Sequence, residues 1–204
     1  MKILKFDDEA KWLEARRGKI TGSRLKDIVV KRGTEKKIGF YELIAERLAL
    51  PPNGENPMDR GHRLEDEAID RFESKTGKKV DRSLVMWSRD DNGLIAVSPD
   101  GFIGKKGTEA VEVKCLSSAR HIEAVITNQV PSEYHYQVLQ YFAVNDKLET
   151  LYFCLYDPLL RVHDFHVIEV VRDDVMQCEV LQMLEYQNKT LEEVEAYVEE
   201  LSKF

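Results

Sequence analysis

The sequence lacks the long apolar runs that mark membrane-spanning segments. No apolar stretch approaches the roughly 20 residues that are needed to cross the hydrocarbon core of a bilayer. The first six residues are followed at once by acidic residues, so we expect no secretory signal peptide. The sequence therefore predicts a cytoplasmic protein with no membrane partner.

Cysteine is scarce. The chain contains only Cys115, Cys154 and Cys178, and it has no Cys-x-x-Cys pair. An odd number of widely spaced cysteines favours a reducing compartment and argues against an iron–sulfur or zinc site. His163 and His166 do not change this interpretation, because no cysteine or third histidine lies near them in the sequence.

The chain also lacks an excess of positive charge. It has 30 Lys and Arg against 37 Asp and Glu, a net charge of −7, whereas nucleic-acid-binding domains are usually basic. A nucleic-acid partner is not excluded, because carboxylates at a metal site add to the negative count. Basic residues cluster locally, as at Lys36 and Lys37, and only the potential along a cleft needs to be positive.

The remaining composition is that of a globular protein, with 43% hydrophobic and 33% charged residues and no internal repeat. A length of 204 residues suffices for one domain with a substantial core. We expect a single domain over 1–204, with N-terminal helices in 6–76, a sheet core in 79–171 and C-terminal helices in 173–204.

The apolar patterns predict a mixed α/β domain with helices packed against a central sheet. The predicted strands cover 80–87, 94–97, 110–115, 151–156 and 161–171. The predicted helices cover 6–14, a segment ending near 30, 39–50, 58–75, 117–126, 132–144 and 173–204, the last of them in two pieces broken near 188–190.

The strongest chemical signal lies between positions 97 and 115. A Pro99-Asp100-Gly101 turn follows one predicted strand, and the next strand carries Glu112 and Lys114. Successive side chains of a strand point to opposite faces, so Glu112 and Lys114 share a face. The turn at 104–107 makes a small meander that can bring Asp100 beside them.

Two carboxylates and a lysine suit metal-dependent hydrolysis. Carboxylate oxygens are hard ligands for Mg²⁺ or Mn²⁺, and a bound ion polarises a phosphodiester and activates water. The lysine can position that water or balance charge in the transition state. A Glu-x-Lys pair on an exposed strand is more often solvated, but here it interrupts an otherwise apolar strand.

The segment around Arg16, Thr21 and Ser23 has two readings. Hydroxyl residues at a helix start beside an arginine form a natural phosphate site, because free backbone N–H groups and the helix dipole favour an anion. The same residues also serve as ordinary helix caps. The spacing alone leaves both interpretations open.

Several motifs occur in a fixed order between about positions 12 and 171. They are Arg16-x-Gly18-x-Ile20-Thr21-x-Ser23, Gly61-x-x-x-Glu65 followed by Ala68, Ser98-Pro99-Asp100-Gly101, Glu112-Val113-Lys114-Cys115, Tyr134-x-x-Gln137-x-x-Gln140-Tyr141 and Tyr156-Asp157-Pro158. With these motifs, the chain resembles the lambda-type phage recombination exonucleases. This YqaJ-like viral recombinase or alkaline exonuclease family belongs to the PD-(D/E)xK nuclease superfamily.

The resemblance implies a restriction-endonuclease-like core, with a central mixed sheet flanked by helices. It implies an Mg²⁺-dependent 5′-to-3′ exonuclease with two ions, for which Mn²⁺ can substitute. The enzyme would digest one strand of linear double-stranded DNA and leave a 3′ single-stranded tail for phage-type recombination by strand annealing. The implied assembly is a toroidal homotrimer around DNA ends, and the implied partner is a single-strand annealing recombinase. The resemblance places the protein in the cytoplasm of a bacterium, encoded by the host or by a phage or prophage.

The resemblance also implies roles for individual residues. Asp100 and Glu112 hold the metals, the Val113 carbonyl is a further ligand, and Glu65 completes one site. Lys114 orients or activates the attacking water.

A glutamine helps to position that water or lysine. The chain has Gln137-x-x-Gln140 where the family pattern is Gln-x-Gln, so the choice between these two residues stays open. The offset from Tyr134 favours Gln137.

At the DNA end, the resemblance implies that Arg16 binds the 5′-terminal phosphate with help from Thr21 and Ser23. An arginine suits this task because its fork bonds two phosphate oxygens. Ser98 contacts the same phosphate or the scissile one. Met58 occupies the position of an apolar residue that wedges between the strands.

Two other functions remain open. The chain could be a catalytically silent module that binds DNA ends, although its intact Asp100, Glu112 and Lys114 argue against this. It could instead be another PD-(D/E)xK enzyme, such as a restriction or repair endonuclease. Relatives with an iron–sulfur cluster need four ligating cysteines, which this chain lacks.

Overall fold

The computed structural model describes residues 37–38, 41–42, 44–45, 57–83, 85, 87–93, 95–97, 99–104 and 107–201. Its helices are α1 (Pro57–Thr76), α2 (Ser118–Thr127), α3 (His135–Val144, entered through a 3₁₀ turn at Ser132–Tyr134) and α4 (Asp174–Leu201). Its strands are β1 (Val80–Asp81), β2 (Trp87–Ser88), β3 (Ala96–Val97), β4 (Gly101–Ile103), β5 (Glu109–Lys114), β6 (Thr150–Tyr156) and β7 (Phe165–Val171).

Five strands form one sheet in the order β1-β4-β5-β6-β7, and β2 pairs with β3 in a separate ribbon. Strand β4 is antiparallel to both β1 and β5. The Thr150 N–H donates to the Thr108 carbonyl, so β5 and β6 start side by side and run parallel. The Arg172 N–H donates to the Glu149 carbonyl, which makes β7 antiparallel to β6. The mixed sheet flanked by helices confirms the predicted α/β class.

The chain divides into two compact units. The first contains the described residues of 1–68 together with 114–129 and 155–166, and the second contains those of 69–113, 130–154 and 167–204. A cluster of buried apolar residues forms the core of the first unit, namely Tyr41, Ala45, Ala119, Ile122 and Leu160. In the second unit, Val111 and Phe153 are fully buried, and the rings of Phe72 and Tyr152 pack 5.0 Å apart. The single domain over 1–204 stays a prediction.

Local signals place the ends of two helices. Helix α1 ends at Thr76 and is capped by Gly77, as the sequence predicts. Gly77 has a φ of +72° and donates its N–H to the Glu73 carbonyl at 2.8 Å. Helix α4 begins where Asp173 Oδ1 accepts the N–H of Met176 at 2.7 Å.

Helix α4 corrects one prediction, because it continues through 188–190 without a break. Polar residues often interrupt a helix by bonding to the backbone in non-helical conformations. Here the Thr190 hydroxyl instead donates to the Tyr186 carbonyl one turn back, at 2.8 Å. The side chain is thereby satisfied inside the helix.

Two strand predictions are also corrected. The segment 80–87 is not one strand: β1 covers only its first two residues, and β2 begins at its end. Strand β7 begins at Phe165 rather than at 161, because His163 adopts a φ of +52° and the Asp157 N–H closes a turn onto the Asp164 carbonyl. A left-handed residue cannot continue an extended strand.

The predicted helices at 6–14 and before 30 lie outside the described residues. The described positions of the predicted helix 39–50 are helical. No helix in the described part of the chain is long and apolar enough to span a bilayer.

Candidate active site

Asp100 is held against β5 by its own side chain. Its Oδ2 accepts the backbone N–H of Val113 at 2.7 Å, and Val113 directly follows Glu112. The close packing of β1 and β4 requires glycine after Asp100, because a Cβ at Gly101 would lie 2.3 Å from Cγ1 of Val80. The meander therefore brings Asp100 beside the strand that carries Glu112.

Glu112 is almost completely buried, with 1% of its surface exposed. Its Oε1 accepts a hydrogen bond from Nε2 of Gln137 at 2.6 Å, and its Oε2 accepts one from the Tyr141 hydroxyl. Gln137 and Tyr141 are four residues apart on α3, so they lie on the same helix face. A buried carboxylate needs such donors, and α3 supplies one to each oxygen.

Cys154 on β6 is fully buried. Burial raises the pKa of its thiol, and the negative charges of Asp100 and Glu112 raise it further, whereas the charge of Lys75 opposes the shift. The thiol stays protonated at neutral pH, so it is no nucleophile.

The structure separates the two glutamines that the sequence leaves open. Gln137 contacts Glu112, whereas Nε2 of Gln140 donates to the Ala96 carbonyl of β3 at 3.1 Å. The side-chain oxygen of Gln140 is buried and has no hydrogen-bond partner among the described residues. Gln137 is therefore the glutamine of the candidate site.

The other predicted residues divide into two groups. Glu65 on α1 and Lys114 at the end of β5 are partly buried and belong to the first compact unit, whereas Asp100, Glu112 and Val113 belong to the second. Four of the predicted positions lie outside the described residues, namely Arg16, Thr21, Ser23 and Ser98. Met58 lies in α1, where only its backbone is described.

The donor set fits a hard divalent cation. Asp100, Glu112 and the Val113 carbonyl would offer only oxygen ligands, which suit Mg²⁺, Mn²⁺ or Ca²⁺ rather than a thiolate-bound metal. In the part of the chain that the structure describes, no three His, Cys, Asp or Glu side chains group closely enough to hold a metal. The described carboxylates at the centre of the site are therefore two, Asp100 and Glu112.

Sequence reasoning gave Tyr141 no role. A signal was present, because Tyr141 lies one helical turn after Gln137 in the same motif. Its ring is fully buried and packs at 85° to the ring of Trp87, with 6.5 Å between the ring centroids. Tyr141 therefore belongs to the surroundings of Glu112.

A family model for the YqaJ-like viral recombinase domain matches residues 11–148. The chain belongs to this family. The YqaJ-like chain is also similar to a crystal structure of an alkaline exonuclease, LHK-Exo from Laribacter hongkongensis, with 29% identity and a TM-score of 0.63. That match covers 95% of this chain and 96% of the relative.

A second structure, LHK-Exo in complex with dAMP, matches with 28% identity and a TM-score of 0.55, covering 93% of this YqaJ-like chain and 99% of the relative. Comparison with curated protein sequences gives no significant match. The family and the two alkaline exonuclease structures support a phage-type exonuclease. Nucleases of this kind generally require a divalent metal ion, and exonucleases act on DNA ends.

Proposed function

We propose that this YqaJ-like protein is an Mg²⁺-dependent exonuclease that digests one strand of linear double-stranded DNA from 5′ to 3′. The 3′ single-stranded tail that remains would serve recombination by strand annealing. The observation that carries this proposal is that Asp100 bonds to the backbone of Val113, directly after Glu112, while Gln137 bonds to Glu112 at 2.6 Å.

Asp100, Glu112 and the Val113 carbonyl would hold the cation. When bound, Mg²⁺ or Mn²⁺ polarises the scissile phosphodiester and lowers the pKa of a water. Asp100 keeps its position through the Val113 N–H, and Gln137 fixes one oxygen of Glu112. Both carboxylates are thus oriented by the chain itself.

Glu65 and Lys114 keep the roles that the family resemblance implies. Glu65 would be a further ligand, consistent with two ions, and Lys114 would orient or activate the attacking water. A lysine also balances the negative charge that develops on the phosphate oxygens. Both residues are partly buried, so part of each side chain is accessible to solvent.

At the DNA end, Arg16, Thr21, Ser23 and Ser98 would bind phosphate, and Met58 would separate the strands. The relative LHK-Exo forms a complex with dAMP. We infer that this chain likewise binds a deoxynucleoside monophosphate, the kind of product that an exonuclease releases.

The proposed assembly is a toroidal homotrimer that hands its single-stranded product to a single-strand annealing recombinase. A ring around the duplex would keep the enzyme on its substrate. The mass in solution, measured by light scattering, should be near that of three chains. A clean monomer would count against this assembly.

Digestion of linear and covalently closed duplex DNA tests the proposed activity. We expect release of nucleotides from linear DNA only, with Mg²⁺ or Mn²⁺ present and none in chelator. A restriction or repair endonuclease would also cut closed circles. A silent end-binding module would retain linear DNA without releasing nucleotides, and either result would overturn the proposal.

A further inference from the structure

The side chain of Tyr141 is buried and packs against an aromatic ring. It is fully buried on α3, and the ring of Trp87 stands edge-on against it. Trp87 in turn packs against Phe102 of β4, with 6.1 Å between the ring centroids. The Tyr141 hydroxyl, which donates to Oε2 of Glu112, is thereby held in place by the β2 and β4 strands as well as by its own helix.

We propose that Tyr141 is a positioning residue that orients the Glu112 carboxylate for a divalent cation. This inference rests on the proposed function, in which Glu112 is a metal ligand. Groups that hydrogen-bond to a ligating side chain fix its orientation and tune its affinity for the metal. Gln137 holds Oε1 and Tyr141 holds Oε2, so the carboxylate cannot rotate without losing a bond.

The same strand provides an internal comparison. Glu109 of β5 also accepts a hydrogen bond from a tyrosine, with 2.9 Å between its Oε2 and the Tyr152 hydroxyl. Glu109 is neutralised by an ion pair with Lys78 at 2.5 Å. Gln137 and Tyr141, in contrast, are neutral donors, so their two bonds to Glu112 add no positive charge. Glu109 therefore serves as a comparison in which a tyrosine bonds to a carboxylate that we do not propose as a metal ligand.

The substitutions Tyr141→Phe and Tyr152→Phe test the inference as a matched pair. Each removes one buried hydroxyl that donates to a glutamate of β5. We expect the Mn²⁺ concentration for half-maximal digestion to rise by about 10-fold or more in Tyr141→Phe, and to stay unchanged in Tyr152→Phe. Mn²⁺ binding without DNA, followed by electron paramagnetic resonance, should weaken by the same factor.

A merely structural role for Tyr141 predicts another pattern. Both variants would then lose thermal stability, while the folded fraction would bind Mn²⁺ as the unaltered protein does. That result would overturn the inference, as would a Tyr141→Phe protein that fails to fold when Tyr152→Phe folds. Trp87→Phe, which loosens the ring but keeps the hydroxyl, should also raise the half-saturating Mn²⁺ concentration, and an unchanged value would contradict us.

The unaltered protein separates this inference from the proposed function. If it neither binds Mn²⁺ nor digests linear duplex DNA, the proposed function itself fails. If it does both and Tyr141→Phe matches it in both assays, only the role of Tyr141 is refuted.

Discussion

The carboxylate of Asp100 accepts the backbone N–H of Val113, with 2.7 Å between Oδ2 and the nitrogen. This bond ties the turn before β4 to the strand that carries Glu112. Asp100 thus has a structural task in addition to its charge. A substitution that probes its chemistry has to keep the hydrogen bond.

Asp100→Asn meets that requirement, because an amide oxygen still accepts the Val113 N–H while the negative charge is lost. We expect a folded protein whose digestion rate falls at least about 100-fold, since a bound metal contributes several kcal/mol to the transition state. Asp100→Ala should in addition lose about 1–3 kcal/mol of unfolding free energy, because the Val113 N–H is left unpaired. Nucleotide release and urea denaturation measure the two effects. A fully active Asp100→Asn protein would remove Asp100 from the mechanism.

The two glutamines of α3 should behave differently when each is replaced by methionine. Gln137→Met removes a donor from Glu112, so digestion should slow by about 10-fold or more. Gln140→Met gives up the bond to the Ala96 carbonyl but also removes a buried oxygen that has no partner among the described residues, so its rate should be unchanged. Steady-state digestion of linear DNA compares them. Equal losses in both variants would contradict the assignment of Gln137.

Gly101→Ala should disturb the site through packing. The added methyl group would lie 2.3 Å from Cγ1 of Val80 and 3.4 Å from the Asp81 carbonyl oxygen, so β1 and β4 must shift. Such overpacking costs about 1–3 kcal/mol of unfolding free energy, and it moves the neighbouring Asp100.

Gly93→Ala is the control for this substitution, because a methyl group there meets no atom of the described residues within 4 Å. Chemical denaturation and digestion assays should therefore show a loss for Gly101→Ala alone. Comparable stability and activity of the two variants would show that the strands tolerate the added methyl group.

His121 should make the stability of the fold depend on pH. Its Nε2 bonds to the His163 carbonyl at 2.8 Å, and its Nδ1 is buried with no partner in the part of the chain that the structure describes. Burial lowers its pKa below the ordinary 6.5, although the His163 carbonyl and the charges of Asp157 and Asp164 oppose the shift. The His163 side chain adds to the lowering.

The sign of the pH effect follows from this shift. Because the folded state keeps His121 neutral, the unfolded state binds the extra proton below pH 6.5. The free energy of unfolding should therefore fall from about pH 6.5 downward, by up to about 1.4 kcal/mol per pH unit, and level off below the lowered pKa. His121→Gln should flatten this slope in urea titrations at several pH values. His135→Gln, at an exposed contact with Glu179, is the control, and an unaltered slope in His121→Gln would refute the prediction.

Arg16→Ala should slow digestion of 5′-phosphorylated ends more than digestion of 5′-hydroxyl ends. A guanidinium recognises a terminal phosphate through two parallel hydrogen bonds, and a 5′-hydroxyl offers no such partner. Initial rates on the two substrates provide the comparison. An equal loss on both would assign Arg16 to general DNA binding.

Features that depend on short-range rules could be predicted from the sequence. The α/β class follows from the order of apolar patterns, and the end of α1 follows from Gly77. The combination of Asp100, Glu112 and Lys114 stands out because charged residues interrupt an apolar strand. Short strands such as β1 and β2 have no clear pattern of their own, because two residues are too few to establish a period.

The amino-acid sequence by itself determined the chemistry of the site, because a Pro-Asp-Gly turn and a Glu-x-Lys strand specify which side chains stand where along the backbone. Only the tertiary structure decided how Glu112 is held. Its bonds to Gln137 and Tyr141 cross 25 and 29 positions of the chain and depend on the packing of α3, which no local pattern encodes. The same packing turned Gln140 toward β3 and left Gln137 as the glutamine that contacts the carboxylate.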